Sequence, residues 1–183
     1  MSKKILIFMA IIITIVASIM IESDGFKKLI YPKKYSNYVE KYSKEYNIDE
    51  NLVYSVIKVE SKFDKDAVSR KGAKGLMQIS DITRDWAIEE LQLGDIDIFD
   101  PETNIRIGCW YLSKLYKQFG TLDLVIAAYN GGSGNVREWL GNDEYSKDGK
   151  LYNIPFQETS NYVLKVEKNY EKYNMLYDEE GKD

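Results

Sequence analysis

The sequence has no histidine, and it has only one cysteine and three prolines among 183 residues. The absence of histidine excludes Ser-His-Asp and Cys-His catalysis and every metal site that needs an imidazole ligand. Cys109 alone cannot form a disulfide within one chain, and its place on an apolar helix stripe predicts a small buried side chain. Carboxylates, tyrosines, amides and hydroxyls remain for chemistry, so we expect no metal and no cofactor.

The composition is that of one globular domain. The chain is long enough for one medium domain with a real core. Its net charge is −4 and it has no basic stripe, which argues against nucleic acid as a partner. The scarcity of proline and the long amphipathic runs predict a mainly α fold.

The first 22 residues look like a membrane segment. Two lysines precede an apolar run from Ile5 to Ile21, interrupted only by Thr14 and Ser18. As a helix this run would be about 26 Å long, close to the thickness of a thin bilayer core. It is longer than the apolar stretch of about 7 to 15 residues in a cleaved signal peptide. We therefore expect a single-pass anchor at the cell membrane with the body outside the cytoplasm, and secretion after signal cleavage is the alternative.

The remaining chain divides into a linker at 23–36, a helical domain at 37–177 and a disordered acidic tail at 178–183. Capping residues and glycines mark the helix boundaries. We predict helices at 35–46, at 49–60 with Asp49 as the cap, from Ser80 or Asp81, from Asp100-Pro101 to Gly120, from Thr121 to the Asn130-Gly131-Gly132 turn, and at 158–173. Residues 75–79 are predicted to be extended or turning, and residues 141–154 to be a polar loop.

One helical apolar stripe ends in a carboxylate. In segment 49–61 the side chains of Val53, Val56 and Ile57 share one face of the predicted helix. Glu60 follows three or four residues after the last two, which places its carboxylate on the same face. A carboxyl group against an apolar wall favours its protonated, neutral form, so its pKa should rise from about 4.3 towards about 6 or above. Such a group acts as a general acid near neutral pH; the alternative is that Glu60 lies past the helix end and points to solvent.

Glu60-Ser61 also opens an ordered series of short motifs. The series continues with Ser69, Gly75-Leu76-Met77-Gln78, Asp100-Pro101, Asn104-Ile105 with Gly108, Ala128-Tyr129-Asn130-Gly131-Gly132, Glu158-Thr159 and Tyr162-Val163. In this order and spacing it resembles the catalytic domain of the soluble lytic transglycosylases, a goose-lysozyme-like fold that acts on peptidoglycan. The resemblance covers about residues 37–173 and implies a mainly α, lysozyme-like α+β domain.

The resemblance implies a role for each matching residue in the first half of the site. Glu60 would be the single catalytic acid. Ser69 would help to hold a substrate acetamido group or the acid itself. Met77 and Gln78 would form a wall of the sugar groove, where Gln78 supplies a hydrogen-bonding amide.

The second half of the series implies further substrate-binding residues. Tyr129 and Asn130 match the segment that faces the cleft, Glu158 matches a second glutamate at the groove, and Tyr162 matches a tyrosine that approaches the acid. Tyr162 lies on an apolar stripe, so a place in the core is the alternative for it. Of the tryptophans, Trp86 and Trp110 are predicted to pack in the core. For Trp139 two alternatives stay open: packing in the core, or stacking against a sugar ring of the substrate.

The reaction implied is cleavage of the β-1,4 bond between N-acetylmuramic acid and N-acetylglucosamine. Glu60 would donate its proton to the bridging oxygen and, as a carboxylate, take the proton of the C6 hydroxyl as that oxygen closes onto C1. The product would be a 1,6-anhydro sugar, and no water would enter.

Three other functions remain open at this point. A lysozyme-type hydrolase on the same fold would need a second carboxylate across the cleft, and Asp64, Asp66 and Asp81 are close in sequence. A catalytically silent glycan-binding scaffold would be expected to lack the acid or the Gly-Leu-Met-Gln segment. A helical interaction module of a secretion or spore apparatus would explain the anchor and the helices but not the motif order. A partner in the cell-envelope machinery is compatible with all of them.

Overall fold

The structure is a computed structural model that describes residues 3–22 and 24–177. In this part of the chain the secondary structure is almost entirely helical, which confirms the prediction of a mainly α fold. The elements are α1 (Lys3–Glu22), α2 (Asp24–Ile30), α3 (Ser36–Tyr46), α4 (Glu50–Glu60), α5 (Asp81–Leu91), α6 (Pro101–Phe119), α7 (Leu122–Gly131), α8 (Ser133–Leu140), β1 (Ser146–Lys147), β2 (Lys150–Leu151) and α9 (Gln157–Tyr177).

Three of the predicted helix starts are capped as expected. The side chain of Asp49 accepts hydrogen bonds from two backbone amides in the first turn of α4. Ser80 accepts from the backbone of Thr83 at 3.1 Å, and Asp100 accepts from the backbone of Thr103 at 2.8 Å. Each bond satisfies an amide that has no partner within its own helix, so these starts are fixed by local chemistry.

Two stretches differ from the prediction. The Gly131-Gly132 pair ends α7 as expected, but the chain turns at Gly132, whose φ is +86°, and immediately forms α8. The polar loop at 141–154 contains the antiparallel hairpin of β1 and β2, in which Ser146 pairs with Leu151. Thr121 stands at the N-cap of α7 without a side-chain hydrogen bond.

Helix α4 lies at the centre of the packing. It contacts α3 and α9, while α9 also packs on α7, and α6 packs on α3, α5 and α7. Every residue from Asn51 to Ile57 is buried. The last turn of α4, which ends in Glu60, therefore continues directly from a helix segment that is buried in the core.

The N-terminal helix and the linker are described in part. α1 covers the predicted membrane segment, and within residues 3–22 and 24–177 no helix has the combined length and apolarity that a bilayer crossing requires. The predicted linker contains α2, and its Tyr31 ring packs edge-on against Tyr173 with centroids 5.5 Å apart. The predicted tail at 178–183 lies outside the described residues.

The tryptophans follow the prediction only in part. Trp110 is buried as expected. Trp139 is also in the core, where its ring packs edge-on against Phe156 with ring centroids 5.1 Å apart. Trp86 is 43% exposed, so the prediction of a core position for it is wrong. Its ring lies edge-on over Trp110 at 4.6 Å, because α5 covers the core from outside and has only Ala87 fully buried. Cys109 is buried as predicted.

Candidate active site

Glu60 is the last residue of α4, and its carboxyl group lies in a largely enclosed position. Burial raises the pKa of Glu60 from 4.5 to about 7. The Tyr162 hydroxyl donates a hydrogen bond to Glu60 Oε1 at 2.7 Å, which lowers the pKa, and the negative charge of Glu158 raises it. The carboxyl group is thus poised to exchange a proton at neutral pH.

A cleft of about 620 Å³ opens in front of Glu60. Its lining contains six of the eight site residues predicted from the sequence, together with two cations, one alanine and one serine. These residues are Glu60, Ser69, Arg70, Lys71, Ala73, Gln78, Ser80, Tyr129, Asn130 and Glu158. A second pocket of about 260 Å³ shares Gln78, Ser80, Tyr129 and Asn130 with the cleft. The two spaces are therefore continuous along these four residues and form one open groove with a largely polar lining.

A short extended element carries one wall of this groove. Isolated bridges pair Lys74 with both Val68 and Ile79. Within the turn between them, Gln78 has a φ of +49°, and its Nε2 donates to the carbonyl oxygens of Ala67 and Gly75, both at 3.0 Å. These two bonds use the nitrogen of the amide and leave Oε1 for a donor in the groove.

Asn104 holds this element in place from α6. Its Oδ1 accepts from the Met77 backbone at 2.8 Å, and its Nδ2 donates to the carbonyls of Lys74 at 3.0 Å and Ile98 at 2.8 Å. Gly75 has a φ of +77°, and a Cβ there would lie 2.2 Å from Asn104 Nδ2. The side chain of Asn104 therefore leaves room only for a glycine at position 75. This contact explains structurally why Gly75 and Asn104 occur together in the motif series.

The structure does not place the Met77 side chain in the wall of the groove, contrary to the prediction. Met77 is fully buried, and a Cβ on Gly108 would lie 2.1 Å from its sulfur. The backbone of Met77 serves the site instead, because its carbonyl accepts a hydrogen bond from the Tyr129 hydroxyl at 2.8 Å. The residue thus supports the groove from behind.

Asn130 is oriented by a residue for which the sequence predicted no role. The buried Thr159 donates its hydroxyl to Asn130 Oδ1 at 2.8 Å, so the Asn130 amide group presents Nδ2 as a donor. The contact needs close packing of α7 on α9, since a Cβ on Gly131 would lie 3.1 Å from both Thr159 and Trp139. Glu158-Thr159 marked the position in the sequence, but nothing in the pattern distinguished a positioning hydroxyl from an ordinary helix residue.

Two tyrosines stand close to the acid as permanent donors. Burial raises the pKa of both Tyr129 and Tyr162 well above the usual value, and the charge of Glu60 acts in the same direction. Tyr111 lies beside Tyr129 with ring centroids 5.4 Å apart and lines the smaller pocket, a position that its sequence neighbourhood did not indicate.

Glu158 is the carboxylate that accompanies Glu60 in the cleft lining. It is 70% exposed and pairs with Lys71 at 3.2 Å. The acids considered for a hydrolase lie elsewhere. Asp64 and Asp66 do not line the cleft, and Asp81 is bound by Lys74 and Arg84 at 2.8 and 2.6 Å.

A mainly helical domain with a largely enclosed glutamate carboxyl group beside an open groove defines the lysozyme-like class. The chain belongs to the family of the transglycosylase SLT domain, whose family model matches residues 37–153. It is 35% identical over 143 residues to the soluble lytic murein transglycosylase of Salmonella typhimurium, covering 74% of this chain and 22% of that protein. It is 32% identical over 169 residues to the membrane-bound lytic murein transglycosylase C of Edwardsiella ictaluri, covering 78% of this chain and 47% of that protein.

A solved structure supports the same assignment. The lytic transglycosylase Slt of Pseudomonas aeruginosa, an inactive mutant in which glutamine replaces a glutamate, superposes with a TM-score of 0.73 at 30% identity. The match covers 81% of this chain and 25% of that one. The chain thus spans about a quarter or less of the length of the Salmonella and Pseudomonas proteins.

Proposed function

We propose that this chain is a lytic murein transglycosylase that cleaves peptidoglycan glycan strands, with residues 37–177 as the catalytic unit. The observation that carries the proposal is Glu60, a carboxyl group with a pKa of about 7 in the wall of an open groove. At neutral pH it can both give and take a proton. The names of the relatives and the inactive glutamate mutant of the Pseudomonas enzyme support the same reading.

In the first step Glu60 donates its proton to the oxygen between N-acetylmuramic acid and N-acetylglucosamine. Positive charge develops at the muramic C1 as the bond breaks, as in glycoside cleavage generally. Tyr162 donates to the Glu60 carboxylate that forms, because its hydroxyl already lies 2.7 Å from Oε1. This hydrogen bond stabilises the negative charge that Glu60 acquires in its largely enclosed position.

In the second step Glu60 acts as a base. Its carboxylate removes the proton of the C6 hydroxyl, and the C6 oxygen bonds to C1 to give the 1,6-anhydro product. The acetamido group of the same sugar stabilises the cation between the two steps. Ser69, Gln78 and Asn130, which line the groove, bind the sugar amides and hydroxyls. Tyr129 adds part of the wall, and the exposed Glu158 accepts hydrogen bonds from sugar hydroxyls.

A lysozyme-type hydrolase is the second candidate, and one observation favours it. Glu158 lines the same cleft as Glu60 and could hold a water molecule. However, Glu158 is exposed and paired with Lys71, so its charge is shared with a cation and with solvent. This arrangement suits a binding residue better than a base aimed at one water.

Membrane attachment and action outside the cytoplasm are part of the proposal. α1 exposes a series of large apolar side chains, among them Ile7, Phe8 and Ile13, which are each more than 60% exposed. One relative is named membrane-bound and another soluble. Fractionation of cells that express the full chain tests the attachment: the proposal predicts recovery with membranes after a high-salt wash, and recovery in the soluble fraction would contradict it.

The activity is tested by incubating the full chain with purified peptidoglycan and measuring the release of soluble fragments. Glu60→Gln should reduce the rate by at least about a thousandfold, since the amide cannot donate a proton to the leaving oxygen. Glu89→Gln, on the exposed face of α5, is the matched control and should leave the rate unchanged. Equal rates for Glu60→Gln and the unmutated protein, or no release by either, would refute the proposed role of the site.

A further inference from the structure

A second cavity, of about 390 Å³, lies between α2 and the end of α4, outside the groove described above. Four lysines line it together with four other residues, and none of its lining residues in the described part of the chain is acidic. We name it the lysine pocket; its residues are Lys28, Leu29, Ile30, Pro32, Lys34, Lys58, Lys62 and Phe63.

Three of the four lysines of the pocket have no carboxylate partner in the described part of the chain. In the described residues, none of Lys34, Lys58 and Lys62 forms an ion pair. The Lys58 ammonium group donates to the neutral carbonyl of Ile30 at 2.6 Å and lies 4.5 Å from the centre of the Tyr31 ring. Burial lowers the pKa of Lys58, and the charge of Lys62 acts in the same direction. An anion entering the pocket would relieve both the repulsion and the lost hydration.

The surroundings of the lysine pocket are apolar as well as cationic. Leu29 is 75% exposed and Ile30 is 44% exposed. Between Asp24 and Glu40 the sequence has four lysines and no acid, in a protein that is acidic as a whole. Cations beside exposed aliphatic side chains are characteristic of segments that lie in a membrane interface.

The position of the lysine pocket in the chain also points to a membrane. α2 follows α1 after one residue and is itself only about 10 Å long. The pocket must therefore stay close to wherever the apolar side chains of α1 are placed. We propose that the lysine pocket docks on the phosphate groups of an anionic lipid surface.

Docking at this point would set the orientation of the groove. Lys58 precedes Glu60 by two residues, which is roughly 200° around the helix axis, so the two side chains leave α4 on opposite sides. With the lysine pocket on the lipid headgroups, Glu60 and the groove would face away from the membrane. A glycan strand lying above the membrane could then enter the groove without bending back.

The test is lysine acetylation of the full chain in vesicles of phosphatidylglycerol or of phosphatidylcholine, read at each lysine by mass spectrometry. Lys34 and Lys62 should be labelled about fivefold less in the anionic vesicles, the size expected for one lysine at an anionic surface. Lys44 and Lys165, which are exposed outside the pocket, should be labelled equally in both. Equal labelling of all four lysines in both vesicle types would overturn the proposal.

Two further arms separate the lipid surface from other sources of phosphate and of charge. Inorganic phosphate added to the phosphatidylcholine vesicles should give no protection; protection there would assign the pocket to free phosphate and overturn membrane docking.

The double variant K34E/K62E should lose the protection of the remaining pocket lysines, whereas K44E/K165E, with the same change of net charge, should keep it. Protection that persists in K34E/K62E would refute a role for these lysines. Cleavage of soluble glycan fragments should be unchanged in both variants, so this test is independent of the proposed catalysis.

Discussion

At the scale of single residues, the proposed catalysis depends on one carboxyl group whose charge is unfavourable in the fold. The pKa of Glu60 rises from 4.5 to about 7 because the group is buried. The folded protein therefore binds more protons than the unfolded chain between these two values, and its stability must fall as the pH rises through this window. The same environment that makes Glu60 a proton donor at neutral pH makes it a source of instability above it.

The first prediction concerns Glu60→Gln. The variant lacks the ionisation, so it should be more stable than the unmutated protein at pH 8, by up to about 3 kcal/mol, and similar to it near pH 4. Thermal or urea unfolding at both pH values measures the difference. Glu89→Gln is the control, and a stability gain for Glu60→Gln that is the same at both pH values would contradict burial as the cause.

The second prediction concerns Tyr162→Phe. Removing the hydroxyl removes the hydrogen bond that lowers the pKa of Glu60, so the alkaline limb of the pH–rate profile should move upward by about one unit. The rate at the optimum should fall, because the carboxylate formed in the first step loses its donor. Tyr152→Phe, at an exposed tyrosine, is the control; a profile for Tyr162→Phe that shows only a lower rate would contradict the proposed tuning.

At the scale of elements, the groove depends on two close contacts that α6 and α9 make with their neighbours. Gly108 lets Met77 lie against α6, and Thr159 on α9 fixes the amide of Asn130 on α7. Neither contact involves a residue that would touch the scissile bond. Both support groups of the groove wall from behind, the Met77 backbone in one case and the Asn130 amide in the other.

The third prediction is that Gly108→Ala destabilises the fold by about 1–3 kcal/mol. The new Cβ would lie 2.1 Å from the Met77 sulfur in a packed core, and this strain outweighs the gain in helix propensity. Gly134→Ala in α8 is the matched control, since nothing lies within 4 Å of its Cβ position, and it should stabilise by about 0.5–1 kcal/mol. Urea unfolding measures both, and equal effects of the same sign would contradict the packing argument.

The fourth prediction is that Thr159→Val lowers kcat/KM by about tenfold or more, because Asn130 loses the partner that orients its amide. Thr159→Ser keeps the hydroxyl and should restore most of the activity. Kinetics on soluble glycan fragments provide the comparison. A serine variant as impaired as the valine variant would assign the effect to packing and contradict the orienting role.

The helices also show which structural features the sequence alone predicts and which it does not. Asp49 and Asp100 predict two helix starts correctly, and Ser80 is the correct one of the two caps predicted for α5, because capping is a local interaction between neighbouring residues. The sequence does not predict helix α8, because Gly131-Gly132 signals a helix end and carries no side chain that would cap a new helix at Ser133. The burial of Met77 could not be predicted either, because it depends on Gly108 in a distant segment.

At the scale of the whole molecule, the fold brings together residues that are about a hundred positions apart. Glu60 and Tyr162 meet only because α4 packs on α9, and the motif order predicted this meeting without any geometry. The electrostatic division of the molecule was not visible in its net charge. The groove carries the titrating carboxyl group, and on the other side of α4 the lysine pocket carries Lys34, Lys58 and Lys62, which have no ion-pair partner among the described residues.

The most direct test of the central claim is cleavage of purified peptidoglycan by the full chain in heavy-oxygen water, followed by mass spectrometry of the fragments. If Glu60 acts as acid and then as base, each new muramic end is lighter than a hydrolysed end by one water and carries no heavy oxygen. Glu60→Gln should give no such ends. Reducing ends that carry heavy oxygen would contradict the account, because they would show that water attacks C1 and that the enzyme is a hydrolase.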